Sequence, residues 1–521
     1  MKPILTALGA LPLAALATSG SVSNQAVLSG ADAGTADDQV AVRTPMGIII
    51  GSVTTVENFN GIPYAEPPGP GGLTLSIQRP KGTEPGDNLP VLFYIFGGGF
   101  MFGATSANNA EDFIQFAEGK DKGFVFVGVN YRVGGFGFLG GSEILEDGSA
   151  NLGLLDQRMG LEWVADNIAY FGGDPERVTL WGQSAGSISV FDQMALYDGD
   201  ATYKGRPLFQ AAIMNSGSVI PTERVDSSKA QRIFDAVASK ADCRGASSTK
   251  LACLRSLDFE DFYHAVNSAP RILDYSSLAL SYLPRPDGVI LTDSPEVLAK
   301  KGRYHAVPVI IGDQEDEGTL FSFAQKDLNS TEALVGYLED YFFANATREQ
   351  VEGLVATYGD NSEAGSPFRT ALLYEWYEAE YKAGKGFKRV AALLGDVVFT
   401  LSRRLAVEGM VRSNPKVPVW SYINSYAYGL VPYYGTPHGS DVRMMFKGTG
   451  NPAQSSRTYY LNLMYHLDPN VDRGIYKEWP TWTTEERKLL HINLGVNEII
   501  EDDFRQESYE YLAKHAQVLH F

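Results

Sequence analysis

Apolar runs and their breaks divide the chain into alternating strand-like and helix-like stretches. Residues 91–96 (VLFYIF) and 124–130 (FVFVGVN) are continuous apolar runs of strand length, the first stopped by three glycines. Runs of this kind suit strands buried on both faces, since a half-exposed strand would alternate. Residues 156–169 follow a helical period instead, with Met159, Trp163, Val164 and Ile168 on one predicted face. The turn FGGDP at 171–175 closes that helix, and 177–181 (RVTLW) reads as the next strand. Residues 44–55 and 73–78 have strand character, and 307–311 and 417–423 read as later strands. This alternation predicts the α/β class, a mostly parallel sheet with helices on both faces. Residues 333–408, rich in helix formers and aromatics, are expected to add helical cover over one end of the sheet. No internal repeat or long linker breaks the pattern, so residues 18–521 read as a single domain with insertions.

The first seventeen residues read differently. Lys2 precedes an apolar stretch, 4–16, that is too short and too rich in Pro and Gly to span a membrane. Ala15 and Ala17 give the small-x-small pattern of a cleavage point, so 1–17 is read as a signal peptide and the protein as secreted, extracellular. In that oxidising setting Cys243 and Cys253, the two cysteines of the chain, are expected to close one local loop, adding about 2–3 kcal/mol. Sequons at Asn329 and Asn345 agree with glycosylation. The formal net charge of −19 repels phosphate backbones, which argues against nucleic acid as a partner.

The candidate chemistry centres on Gly182-Gln183-Ser184-Ala185-Gly186, a GxSxG directly after the strand RVTLW and before a plausible helix at 187–197. That setting matches a nucleophile elbow, in which glycines let helix and strand pack closely while the serine projects from the sheet edge. Attack on an ester carbonyl builds charge on its oxygen. Gly97-Gly98-Gly99 at the end of VLFYIF, with Ala185 after the serine, can offer backbone N–H donors for it. The general base is expected to be one of seven histidines. His264, His305, His466, His491, His515 and His520 lie in nondescript surroundings, whereas His438 sits in a turn, GTPHGSD, beyond a predicted strand. The acidic stretch at 312–318 (GDQEDEG) follows the strand at 307–311; four adjacent carboxylates suit a solvated loop or a metal site as well as a triad. Spacing alone does not choose among them, although the order serine, acid, histidine is that of α/β-hydrolases.

Taken together the motifs resemble the type-B carboxylesterase family, and within it the secreted fungal lipases and esterases. The resemblance rests on FNGIPYAEPP (59–68), FGGGF (96–100), NYRVGGFGFLG (130–140), NLGLLDQR (151–158), FGGDPERVTLWGQSAG (171–186), DEGT (316–319), HGSD (438–441) and HLDPN (466–470) with a later WP (479–480). It implies an α/β-hydrolase fold with Glu317 as the acid and His438 as the base beside Ser184. It further implies Gly98, Gly99 and Ala185 as the oxyanion hole, Ser216 as a supporting position behind the triad, and a Cys243–Cys253 disulfide. No metal or organic cofactor is implied.

The sequence departs from the family where Gly69-Pro70-Gly71-Gly72 replaces a longer segment that carries a first disulfide and, in the fungal lipases, a mobile lid. The expectation is an open, lidless pocket with weak or no interfacial activation. The family's choline-stacking tryptophan lies in that segment, and Gln183 replaces the acidic residue that usually precedes the nucleophile. Neutral acyl esters, small or lipid, are therefore the expected substrates, with at most transient contact to a lipid interface. A non-catalytic binding or adhesion member of the fold is the alternative, and retention of Ser184, Glu317, His438 and the glycine run speaks against it.

Overall fold

The computed structural model of the protein describes residues 38–66, 72–245, 249–359, 364–370, 386–426 and 433–521. The leader at 1–17 and residues 69–71 of the shortened segment lie outside them.

The strands, in chain order, are β1 (Gln39–Thr44), β2 (Gly47–Val53), β3 (Glu57–Ala65), β4 (Leu73–Arg79), β5 (Leu89–Ile95), β6 (Val125–Val129) and β7 (Gly173–Gln183). There follow β8 (Thr202–Tyr203), β9 (Arg206–Pro207), β10 (Ala211–Asn215), β11 (Val309–Gln314), β12 (Val419–Asn424), β13 (Lys488–Ile492) and β14 (Glu498–Glu501). Among the described residues β8 and β9 pair as a small hairpin, and the other twelve form one sheet in the order β1-β2-β3-β4-β6-β5-β7-β10-β11-β12-β13-β14. From β6 to β13 all neighbours are parallel. The first four strands join antiparallel, as does β14 at the far edge.

Burial explains which strands the hydrophobic pattern revealed. β6, β10 and β11 are buried at every position and β5 at all but its first, as helices on both faces require. At the antiparallel edge, Ile48 and Ile50 of β2 are half exposed or more. β10 (AAIMN) escaped the sequence reading because five residues of Ala, Ile, Met and Asn carry no strand signature. The expected helix spans Leu152–Asn167 and continues as a 3-10 turn, Ile168–Phe171. Trp163, Val164 and Ile168 are buried as expected, but Met159 is 43% exposed. The helix buries Gly160, against Val129 and Phe93, in place of a bulky residue. The expected helical cover consists of Thr331–Tyr341, Arg348–Ala356 and Phe387–Gly395, the last running through a π turn, Asp396–Thr400, into Leu401–Ser413.

The topology decides where a site can form. β6 lies on one side of β5 and β7 on the other, so the chain order switches direction at β5. Loops leaving the carboxyl ends of strands on either side of such a switch diverge and open a crevice. The glycine run leaves β5, Ser184 leaves β7, Glu317 follows β11 and His438 follows β12.

Candidate active site

Ser184 sits between the last residue of β7 and the helix Ala185–Ala195, with φ 57° and ψ −126°. That conformation is strained for any residue but glycine, and the neighbouring glycines hold it in place. A Cβ at Gly182 would lie 2.1 Å from the Gly186 carbonyl oxygen, and one at Gly186 2.0 Å from the Ile95 oxygen. The Ser184 N–H donates to the Asn215 carbonyl at the end of β10 (2.9 Å), tying the turn to the next strand. The side chain is 7% exposed, at the start of a helix whose free N–H groups favour negative charge.

Beyond β5, Gly97 lies against this turn, where a Cβ would stand 2.8 Å from the Ser184 Cβ; Gly98 and Gly99 follow it, both at positive φ (118° and 60°). A Cβ on Gly98 would meet the Phe102 carbonyl oxygen at 2.1 Å, and one on Gly99 would meet Ile272 at 2.7 Å. Both positions therefore demand glycine. Among the described residues no acceptor takes the N–H of Gly98 or Gly99, and Ala185 is the first helical residue, with no preceding turn to bond. Three donors are left for an oxygen in the crevice.

The acid and the base meet through tertiary contacts. Glu317 opens the 3-10 turn Glu317–Phe321, and its Oε2 lies 2.5 Å from His438 Nδ1. Its Oε1 accepts from the Gln314 N–H at 2.7 Å. The carboxylate is 1% exposed and the imidazole 8%, the latter packed against Phe321 and Phe399 with ring centroids 5.1 and 4.7 Å away. An Nδ1–H donated to Glu317 leaves a lone pair on Nε2, and that atom lies 3.1 Å from the Gln183 amide nitrogen. The imidazole thus reaches the residue adjoining Ser184.

The acidic stretch is not a solvated loop, and the sequence alternative has to be corrected there. β11 extends through Gln314, so Asp313 lies in the sheet; Asp313, Asp316 and Glu317 are all buried. Each carboxylate has its own partner. Asp313 accepts from Arg403 (2.9 Å), which also grips Asp502 beside Arg404. Glu315 pairs with Arg369 at the surface. Asp316 clamps the histidine turn: its Oδ2 accepts from the Thr436 N–H (2.9 Å), its own N–H donates to the Thr436 carbonyl, and its Oδ1 takes the Phe368 N–H and the Ser366 hydroxyl. Burial pushes the Asp316 carboxyl up, to about 7. Among the described residues no group of three or more His, Cys, Asp or Glu is arranged to hold a metal ion.

The remaining expected residues are placed as follows. Ser216 is fully buried with φ 54°; its Oγ accepts from the Gln314 amide at 3.3 Å, so it reaches the acid through Gln314 and does not touch Glu317. Cys243 and Cys253 form a disulfide. His305, His466, His491, His515 and His520 are engaged with Phe209, Asp472, Ser425, Tyr511 and Glu296, and His264 lies against Tyr263. Asn329 and Asn345 are both exposed, and the Asn345 amide bonds Glu223. Sequence reasoning missed Asp316, Gln183 as a partner of the base, and the pair Asn215–Asp441 (2.7 Å), which joins the end of β10, where the Ser184 turn is tied, to the helix after His438. No local signal marks a contact of 226 residues' separation.

Comparison with known proteins bears on this geometry. The model of the carboxylesterase family matches residues 71–512. The chain belongs to the carboxylesterase family. Like that family it is a carboxylic ester hydrolase, and nothing found favours the non-catalytic alternative. It is 54% identical over 449 residues to a secreted triacylglycerol lipase of Gibberella zeae, covering 86% of this chain and 75% of that one. A secreted lipase of Botryotinia fuckeliana is 51% identical, over 84% of this chain and 75% of its own. Like these relatives, this carboxylesterase is a secreted protein. The crystal structure of EstA from Aspergillus niger superposes with a TM-score of 0.77 at 23% identity, over 93% of this chain and all of that one, which establishes the α/β-hydrolase fold. No helix of the described residues is long and apolar enough to cross a membrane.

Proposed function

We propose that this carboxylesterase cleaves acyl esters through an acyl-enzyme on Ser184, with His438 as base and acid, Glu317 as the orienting carboxylate, and Gly98, Gly99 and Ala185 as oxyanion donors. The observation that carries this reading is the Glu317–His438 bond at 2.5 Å, with Nε2 turned to the end of β7. His438 takes the Ser184 proton as the hydroxyl oxygen attacks the ester carbonyl. The negative oxygen is held by the three backbone N–H groups, and the buried Glu317 stabilises the imidazolium. His438 returns the proton to the leaving alcohol; water then enters, is deprotonated in the same way, and releases the acid. Ser216 supports Glu317 through Gln314.

Lipid acyl esters, the triacylglycerols named for the Gibberella zeae relative among them, are the preferred substrates in this reading. A groove of about 680 Å³ with mostly apolar walls, including Leu73, Val133, Phe136 and Phe262 beside Arg132 and Asp258, would take an acyl chain in this reading; Ser184 and His438 are not in its lining. Tyr131, also in that lining, donates to the Phe96 carbonyl just before the glycine run. Phe102 and Leu273, exposed by 56% and 44%, lie next to residues that touch Gly98 and Gly99 or touch them themselves, and suit transient contact with a lipid interface. Asn329 is the better glycan acceptor, because the Asn345 amide is already bonded. A fluorophosphonate probe with peptide mapping tests the nucleophile: label on Ser184 is expected, and label elsewhere or none refutes it. Rates on p-nitrophenyl esters of rising chain length, and on emulsified triacylglycerol, test the substrate; a preference confined to acetate would refute the lipid reading.

A further inference from the structure

The side chain that occupies the hydrogen-bonding position of the imidazole is Gln183, the residue before the nucleophile. Its amide nitrogen lies 3.1 Å from His438 Nε2. Gly97 makes room for it, and Gly439 lies at contact distance on the other side. A Cβ on Gly97 would stand 2.6 Å from the Gln183 amide oxygen, and one on Gly439 3.5 Å from its amide nitrogen. The amide is therefore slotted between the glycine run after β5 and the turn after β12, and its reach to the imidazole follows from that slot.

We propose that Gln183 is a positioning residue that holds His438 unprotonated, with the Nδ1–H on Glu317 and the Nε2 lone pair facing the end of β7. An amide nitrogen only donates, so this contact exists only while Nε2 carries a lone pair. A proton on Nε2 would set N–H against N–H, and the contact would be lost. Gln183 neither gives nor takes a proton in the reaction; its N–H gives up the single Nε2 lone pair as the Ser184 proton moves there, and that proton passes on to the leaving alcohol. A carboxylate at position 183 would reverse the preference, since it only accepts and would favour the imidazolium.

The other groups around the imidazole do not contact position 183. Glu317 is bonded to Nδ1. Asp316 is turned to Thr436, Ser366 and Phe368, and Asp313 to Arg403. On the helix after His438, Asp441 accepts from Asn215 and Tyr422, and Tyr426 donates to the Ser440 carbonyl. Phe321 and Phe399 close the remaining sides with uncharged rings.

The inference rests on the reading of His438 as the base, and the test separates the two. Gln183→Glu and Gln183→Met are compared with the parent in two measurements, with thermal melts to establish folding. One is the acid limb of kcat/KM on p-nitrophenyl butyrate. The other is the histidine ¹⁵N NMR titration, with the His438 signal assigned by its loss in His438→Gln. For Gln183→Glu both midpoints are expected to rise by about one pH unit or more; for Gln183→Met they should rise by less. The order Glu above Met above parent in the NMR titration upholds the contact even if rates do not follow, and in that case His438 is not the base. Coincident NMR midpoints in all three proteins overturn the proposal, and the Met variant serves if the Glu variant fails to fold.

Discussion

The end of β7 and the paired ends of β11 and β12 present reactive side chains to one crevice, but they are held by different means. At β7 the turn is specified mostly by contiguous residues, a buried strand, glycines that tolerate backbone oxygens about 2 Å from where a Cβ would stand, and a helix start, with the Asn215 carbonyl on β10 as its tie to the next strand. At β11 and β12 the ties are mostly long-range. Glu317 and His438 are 121 residues apart, Asp316 clamps Thr436 across 120, and Arg403 steadies Asp313 across 90. A turn specified by adjacent residues should lose its chemistry without losing its fold. A turn assembled from distant polar contacts should show coupled losses of activity and stability.

The largest expected effect tests the local side. Ser184→Ala should lower kcat on p-nitrophenyl butyrate by about 10⁶-fold while the thermal melt stays close to that of the parent. A variant that melts far earlier would show that the elbow is not self-contained. On the distributed side, Glu317→Gln should lower kcat by roughly 10³–10⁴-fold, since a neutral amide neither steadies the imidazolium nor selects its tautomer. Equal activity in parent and variant would remove Glu317 from the triad.

Arg403→Met should cost about 3–5 kcal/mol in urea denaturation, because it leaves the buried Asp313 without its cation and Asp502 with Arg404 alone. Burial and these arginines act in opposite directions in the network: Asp502 is held well below the usual carboxylate range, its two arginines outweighing burial, whereas burial pushes Asp313 up to about 8 despite Arg403. If the melt fell while kcat of the folded fraction held, the ion network would support the fold alone and not the acid's turn.

The smallest effect on activity lies behind the nucleophile. Asp192, on the helix Ala185–Ala195, is fully buried, neither carboxylate oxygen has a partner among the described residues, and burial pushes it up to about 8. A carboxyl raised in the folded state above its unfolded value of 3.8 gives stability that is complete below that value and lost as pH climbs through 8. Asp192→Asn does not titrate, so the parent should lose stability relative to it between pH 4 and pH 8, by up to about 5–6 kcal/mol for a carboxyl raised to about 8. Parallel stability curves for the two proteins across that range would show that Asp192 does not titrate there.

Much of this protein is legible in the sequence because its physics is short-range. Uninterrupted apolar runs marked β5 and β6, since strands covered on both faces have no solvent side to pattern. The elbow was legible because strand, glycines, serine and helix are contiguous. His438 was set apart from the other histidines by its turn beyond a predicted strand, but the roles of His438 and Glu317 came from resemblance to a family; by spacing alone, the acidic stretch suited water or a metal as well as a triad. Tertiary structure decided between those outcomes, extending β11 by three residues and giving its carboxylates separate partners. It also decided that Met159 faces outward and that Gln183 meets the imidazole. A hydrogen bond between residues hundreds of positions apart leaves no trace in local pattern, because its geometry exists only once the sheet has brought the strand ends together.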